Sequence, residues 1–136
     1  MESIRDLIAA GGITSVYQPI VNLQSGNTIA YEALARGPAG TPFERPDVMF
    51  AEARKQGVLA ELDWECRACA LRDALAMNMS NPAALFINIE ADALEQPVPP
   101  QHGELLARGT QRLRLVAEIT ERSIATRPRG LLQAVE

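Results

Sequence analysis

Ala84-Leu85-Phe86-Ile87-Asn88-Ile89 is a short apolar run in which polar and apolar residues do not alternate. Such a run suits a strand covered on both faces, as in a parallel sheet flanked by helices. Its borders agree with that reading. Asn81-Pro82 breaks the segment before it, and Pro97, Pro99 and Pro100 mark a loop after it.

Working upstream, residues 59–77 read as a long helix. Leu62, Cys66 and Cys69 form one stripe, and Trp64, Ala68, Leu71 and Leu75 form a second beside it. Apolar residues on so wide an arc imply burial on more than one side. A helix opens at Pro46 and stops at Gly57, with Met49, Phe50 and Ala53 on its apolar face. The stretch from Gly37 to Pro46, rich in proline and glycine, is a loop. Before it, Ser15–Val21 and Thr28–Ala35 read as strands joined by the turn Gln24-Ser25-Gly26-Asn27. So short a turn makes them antiparallel, and Pro19 makes the first an edge strand or a bent one. A short helix, 2–10, ends at Gly11-Gly12.

Downstream, a helix over 102–109 leads to the strand Leu113–Ile119, and a further helix is expected over 127–136 with Pro128 in its first turn. After the hairpin the order is helix, helix, strand, helix, strand, helix, which argues for parallel strands with helical crossovers. A closed barrel of eight such units takes about 250 residues. The fold expected is therefore a TIM-like (β/α) barrel with an antiparallel first strand, present to about its first half. Residues 1–136 are the N-terminal part of one domain, and the open sheet edge must be covered by something.

Bulk composition narrows the function. Hydrophobic residues make up 47% of the chain, enough for a real core, while aromatics are only 4%, so the filling is Ala, Leu, Ile and Val. A net charge of −4 without a Lys/Arg run excludes long nucleic acid as a partner. No stretch approaches the roughly 20 apolar residues of a membrane span. Met1–Ala10 carries Glu2, Arg5 and Asp6 and lacks the apolar block of a secretory signal, so a cytoplasmic location is expected. Cys66 and Cys69 fall mid-helix, where they read as buried small hydrophobes rather than a redox pair. His102 is expected to be exposed and offers no nucleophile–base pair.

Side chains two apart on a strand share a face. Glu32, Leu34 and Arg36 therefore lie on one side of their strand, and Asn88 and Glu118 stand near the C-terminal ends of two others. Two carboxylates and an amide oxygen at matching depths on neighbouring strands could converge at the end where barrels build active sites. Oxygen donors of this kind select hard cations, Mg²⁺ or Mn²⁺ before Zn²⁺. Arg36, further along the face of Glu32, could meet an anionic oxygen. The plainer alternative is that each is a solvated or salt-bridged strand-end residue.

At these residues the chain resembles the EAL domain family of cyclic di-GMP phosphodiesterases. The likeness runs through Tyr17-Gln18-Pro19-Ile20, Glu32-Ala33-Leu34-Ala35-Arg36, Phe86-Ile87-Asn88 and Glu118-Ile119-Thr120-Glu121, in the family's order and at its spacing. The resemblance implies a hydrolase that opens cyclic di-GMP to the linear dinucleotide. Two divalent ions, Mg²⁺ or Mn²⁺, activate water and neutralise charge on the phosphodiester. It makes Glu32, Asn88 and Glu118 catalytic metal ligands, Arg36 a phosphate contact, Gln18 and Leu34 nucleotide-lining positions, and Glu121 an anchor for a loop near the metals.

Two departures from the family pattern stand out. Glu90 occupies a place where the family usually has Ser, and Arg54 one where an acidic residue is common. The family's paired aspartates and catalytic lysine come from strands beyond residue 136, so the chain alone is expected to be inactive. The alternative is a catalytically silent module that binds cyclic di-GMP or a protein partner. The open edge also leaves a homodimer, or association with another cover, as an expectation.

Overall fold

A computed structural model describes residues 3–79 and 83–119 of the chain. Helix α1 (Ile4–Ala10) starts at a reciprocal cap. The Ser3 hydroxyl accepts from the Asp6 N–H, the Asp6 carboxylate accepts from the Ser3 N–H, and Gly11 closes the helix with φ +66°. Strands β1 (Thr14–Val21) and β2 (Thr28–Arg36) then form the expected antiparallel hairpin. Its turn is fixed by the Asn22 side chain, which accepts from the Gln24 and Ser25 N–H groups at 2.8 and 3.1 Å.

After β2 the chain folds back on itself. The Gly37 N–H donates to the Phe43 carbonyl at 3.0 Å, and a Cβ at Gly37 would overlap that same carbonyl. Only glycine allows so close a return. A single 3₁₀ turn, Pro42–Glu44, follows, then α2 (Pro46–Lys55) and the long α3 (Leu59–Ala76). Pro46 sits in the first turn of α2, and Gly57, at φ +76°, separates the two helices. Beyond α3 come β3 (Ala84–Ile89), the short α4 (Ala91–Leu94), a 3₁₀ turn at Pro100–His102, α5 (Gly103–Arg112) and β4 (Arg114–Ile119). The helix expected over 127–136 and the break at Asn81-Pro82 lie outside the described residues.

The sheet runs β1-β2-β3-β4, with β1 antiparallel to β2 and the remaining pairs parallel. Pro19 is accordingly on an edge strand of the described sheet. This is the first half of a barrel with an inverted opening strand, and the described strands do not close it.

Helix α3 organises the packing. Its N-terminal part joins α1 and α2 around Ile4, Leu7, Met49, Phe43 and Leu62. Its C-terminal part lays Ala70, Leu71, Ala74 and Leu75 against Ala33, Leu85, Ile87 and Ile89 of the sheet. Burial on both sides explains the wide apolar arc read from the sequence. Cys69 is buried and its Sγ donates to the Ile13 carbonyl, while Cys66 is half-buried; both are free thiols. Burial pushes the Cys66 thiol well up, away from reactivity.

His102 is not the exposed loop residue expected. It stacks on Trp64 with ring centroids 6.4 Å apart and planes 13° apart, and its Nε2 lies 3.8 Å from the Glu65 carboxylate. The turn after the proline cluster carries it down onto α3, a placement that sequence-local reasoning had no means to supply. Strand β3 corrects a second expectation. Only its α3-facing side is fully covered: Leu85, Ile87 and Ile89 are buried, whereas Phe86 and Asn88 are half-buried on the other face.

Candidate functional site

Since Leu85, Ile87 and Ile89 point to α3, Phe86 and Asn88 must point to the opposite, inner face of the sheet. Parallel register extends that face across the neighbours. Asn88 pairs with Glu118 on β4, and Glu32 on β2 pairs with Phe86. The three expected donors thus share a face but not a level. Glu32 starts one alternation below the other two, and its side chain spans the difference to Asn88. The Asn88 Nδ2 donates to the Glu32 Oε2 at 3.0 Å.

Glu118 completes the group electrostatically. Its pKa is raised, first by loss of hydration and then by the negative charge of Glu32. The Glu32 carboxylate, held by the Asn88 amide, is thus close enough to Glu118 for its negative charge to disfavour Glu118 ionisation. Among the described residues no three His, Cys, Asp or Glu side chains gather as a metal cluster. The set here is two carboxylates and an amide, a hard, all-oxygen donor set. A divalent cation would relieve the repulsion between its carboxylates, so the residues present fit such an ion.

The remaining expected positions are arranged less tightly. Gln18 is exposed on β1 and pairs with Glu32 in the register. Leu34 lies on the Glu32 face, half-buried, and joins Asn88 in lining a cavity of about 140 Å³ toward α3. The Arg36 guanidinium turns back to its own strand, donating to the Ala35 carbonyl at 2.7 Å, so in this structure it is not drawn into the carboxylate group. Glu121 lies outside the described residues.

What the sequence reading missed is a set of buried charges beside the same cavity. Asp63 and Glu90 are each 1% exposed and Arg67 is 9% exposed. Arg67 clasps Asp63 from one helical turn away, and its guanidinium lies over the Trp64 ring at 4.2 Å. The available signal was Asp63 and Arg67 spaced i, i+4 within an apolar stripe. The two departures noted in the sequence are partners: Arg54 lies 3.7 Å from the Glu90 carboxylate and 3.1 Å from that of Asp92.

The described strands thus form half of an α/β barrel whose inner face carries Glu32 midway along β2 and Asn88 and Glu118 near the C-terminal ends of β3 and β4. The EAL domain model matches residues 1–136, and the chain belongs to the EAL domain family. It is 31% identical over 126 residues to a Caulobacter vibrioides protein described as an uncharacterized signaling protein, covering 89% of this chain and 15% of that one. Among solved structures, the Xanthomonas citri FimX EAL domain in complex with c-diGMP superposes with a TM-score of 0.69 at 21% identity, over 97% of this chain and 53% of that one. A calcium/cy-diGMP complex of Klebsiella pneumoniae BlrP1 gives a TM-score of 0.70 at 21% identity, over 91% and 31%. The chain therefore spans about half, or less, of the proteins it resembles. No helix among the described residues is long and apolar enough to cross a membrane.

Proposed function

We propose that residues 1–136 form the N-terminal part of an EAL-type domain and supply the first half of a metal-dependent cyclic di-GMP phosphodiesterase site. Glu32, Asn88 and Glu118 are its metal ligands. The observation that carries this reading is the Asn88–Glu32 hydrogen bond on the sheet face that also carries Glu118, whose pKa the Glu32 charge raises. The family to which the chain belongs supports the substrate, as do the c-diGMP complexes of FimX and BlrP1.

Mg²⁺ or Mn²⁺ is the ion expected for this donor set; solved BlrP1 complexes hold calcium or manganese. When bound, such an ion polarises a phosphodiester oxygen and lowers the pKa of water. The chain's own contribution is preorganisation. Asn88 uses its N–H to orient Glu32 while its carbonyl oxygen remains the ligating atom, and Gln18, Leu34 and Arg36 border the same sheet face for the nucleotide. Arg36 reaches a phosphate only after leaving the Ala35 carbonyl.

With three donors from one half of a barrel, the chain alone binds an ion without turning substrate over. Extended to a complete domain, it hydrolyses cyclic di-GMP to the linear dinucleotide. The test is a Mn²⁺ titration of the chain by calorimetry, with hydrolysis assayed in the extended domain. Glu32→Ala is expected to abolish both. Nucleotide binding that survives chelation, with no hydrolysis in the extended domain, would overturn the enzymatic reading in favour of a binding module.

A further inference from the structure

Glu90 follows Asn88 by two residues, just past the end of β3, and is gripped from two sides. From α3, the Asp63 Oδ1 accepts the Glu90 N–H at 3.1 Å. The other oxygen of Asp63 accepts from Arg67, at 2.8 Å from Nε, so Asp63 itself is held. From α2, Arg54 reaches over to the Glu90 carboxylate at 3.7 Å and to the Asp92 carboxylate at 3.1 Å, spanning the start of α4. Glu90 and Asp63 are both 1% exposed.

Charges taken this far from water are costly, and apolar residues of the same volume often stabilise a fold as well or better. What an ion pair supplies and an apolar contact does not is direction: fixed donors and acceptors hold a backbone in one orientation. The orientation at issue is that of β3 at its C-terminal end. A rotation or slip there would swing the Asn88 amide away from Glu32 and toward α3, because facing alternates with every residue.

We propose that Asp63 and Arg54 are positioning residues for Asn88. Asp63 pins the peptide after β3 through the Glu90 N–H, and Arg54 ties the Glu90 and Asp92 side chains to α2. Together they hold the Asn88 amide over Glu32 and Glu118. The inference rests on Asn88 being a metal ligand, and it extends the site to two helices on the far side of the sheet. It also couples α2 to the ligand geometry, so that a displacement of α2 would be felt first at Asn88.

The test uses the full chain, with Mn²⁺ alone as the probe. Affinity is read by calorimetry, paramagnetic broadening of the Asn88 side-chain amide by NMR, and folding by thermal melting. Arg54 is the informative position, since its side chain is 37% exposed and the melting curve reports whether its replacement leaves a folded protein. Arg54→Gln is expected to weaken Mn²⁺ binding about tenfold, in the range seen when groups supporting metal ligands are removed, with little change in melting. Arg54→Lys should restore most of the affinity, and Asp63→Asn should weaken it to a similar extent. Wild-type affinity in both Arg54→Gln and Asp63→Asn, while Glu32→Ala binds nothing, overturns the positioning role and leaves the metal reading standing. Equal loss in Arg54→Gln and Arg54→Lys together with a lowered melting temperature also overturns it, in favour of a purely structural role. If Glu32→Ala binds Mn²⁺ as wild type does, the metal reading itself fails.

Discussion

Leu85 and Phe86 are chain neighbours in one strand, yet they belong to different regimes. Leu85 is fully buried against α3, whereas Phe86 is half-buried on an open concavity that it shares with Ile20, Ala30, Ala84 and Val116. The division is sharpest in the middle of the sheet, where Ala33, Leu85, Ile87 and Ile89 pack against α3 on the outer face. The inner face there carries Glu32, Asn88 and, on β4, Glu118. A helix needs continuous apolar contact, and a cation site needs access and uncompensated charge. Period-two alternation lets one strand serve both demands without compromise.

The largest test of that division compares the two neighbours directly. Leu85→Ala should destabilise by about 3 kcal/mol, as for a buried leucine, and Phe86→Ala by about 1 kcal/mol or less, as for a position with solvent on one side. Chemical denaturation measures both. A Phe86→Ala loss as large as that at Leu85 would show that the inner face is covered in solution.

The covered side can also be probed by pH. Burial pushes the Asp63 carboxyl from 3.8 up to about 6 against the pull of Arg67. The folded state then holds this proton more tightly than the unfolded state does. This group therefore favours the fold most below pH 4, and its contribution falls as pH rises to about 6 and levels off above. Asp63→Asn should abolish this decline, on the order of 2 kcal/mol, in denaturation series between those values. An unchanged slope in the variant would remove Asp63 as its source.

The smallest effect is the most specific to the open side. Removing the Glu32 charge with Glu32→Gln should lower the Glu118 pKa part of the way toward an ordinary carboxylate, since desolvation remains as the larger cause. Carboxyl-resolved NMR titration reads it. A Glu118 titration indifferent to Glu32 would mean that the two carboxylates do not face each other.

Much of this was legible in the residues. Pro46, Gly57 and the twin stripes of α3 mark their helices because each is a local constraint, and the hairpin announces itself through its short turn. Glu32, Asn88 and Glu118 could be picked out as oxygen donors on separate strands. Their levels could not, because register between strands far apart in sequence depends on packing that no local pattern encodes. The short α4 was hidden for a related reason: four residues carry no periodicity. His102 was misjudged because its partner Trp64 comes from another element. Likewise Arg54 and Glu90 could be flagged one by one, but only the fold reveals that they answer each other.

The tight return at Gly37 has a bearing on how this chain can vary. Strand β2 is bracketed by the Asn22-fixed hairpin at its start and by the Gly37–Phe43 contact just past its end. Insertions can be absorbed in the loop residues 38–42, yet the strand has no slack to creep along its neighbours. Lineages that lengthen or shorten β2 itself would thereby present Ala33 or Tyr31 where Glu32 now stands. Position 37, itself without a side chain, thus works as a ratchet stop for the acidic residue five places before it.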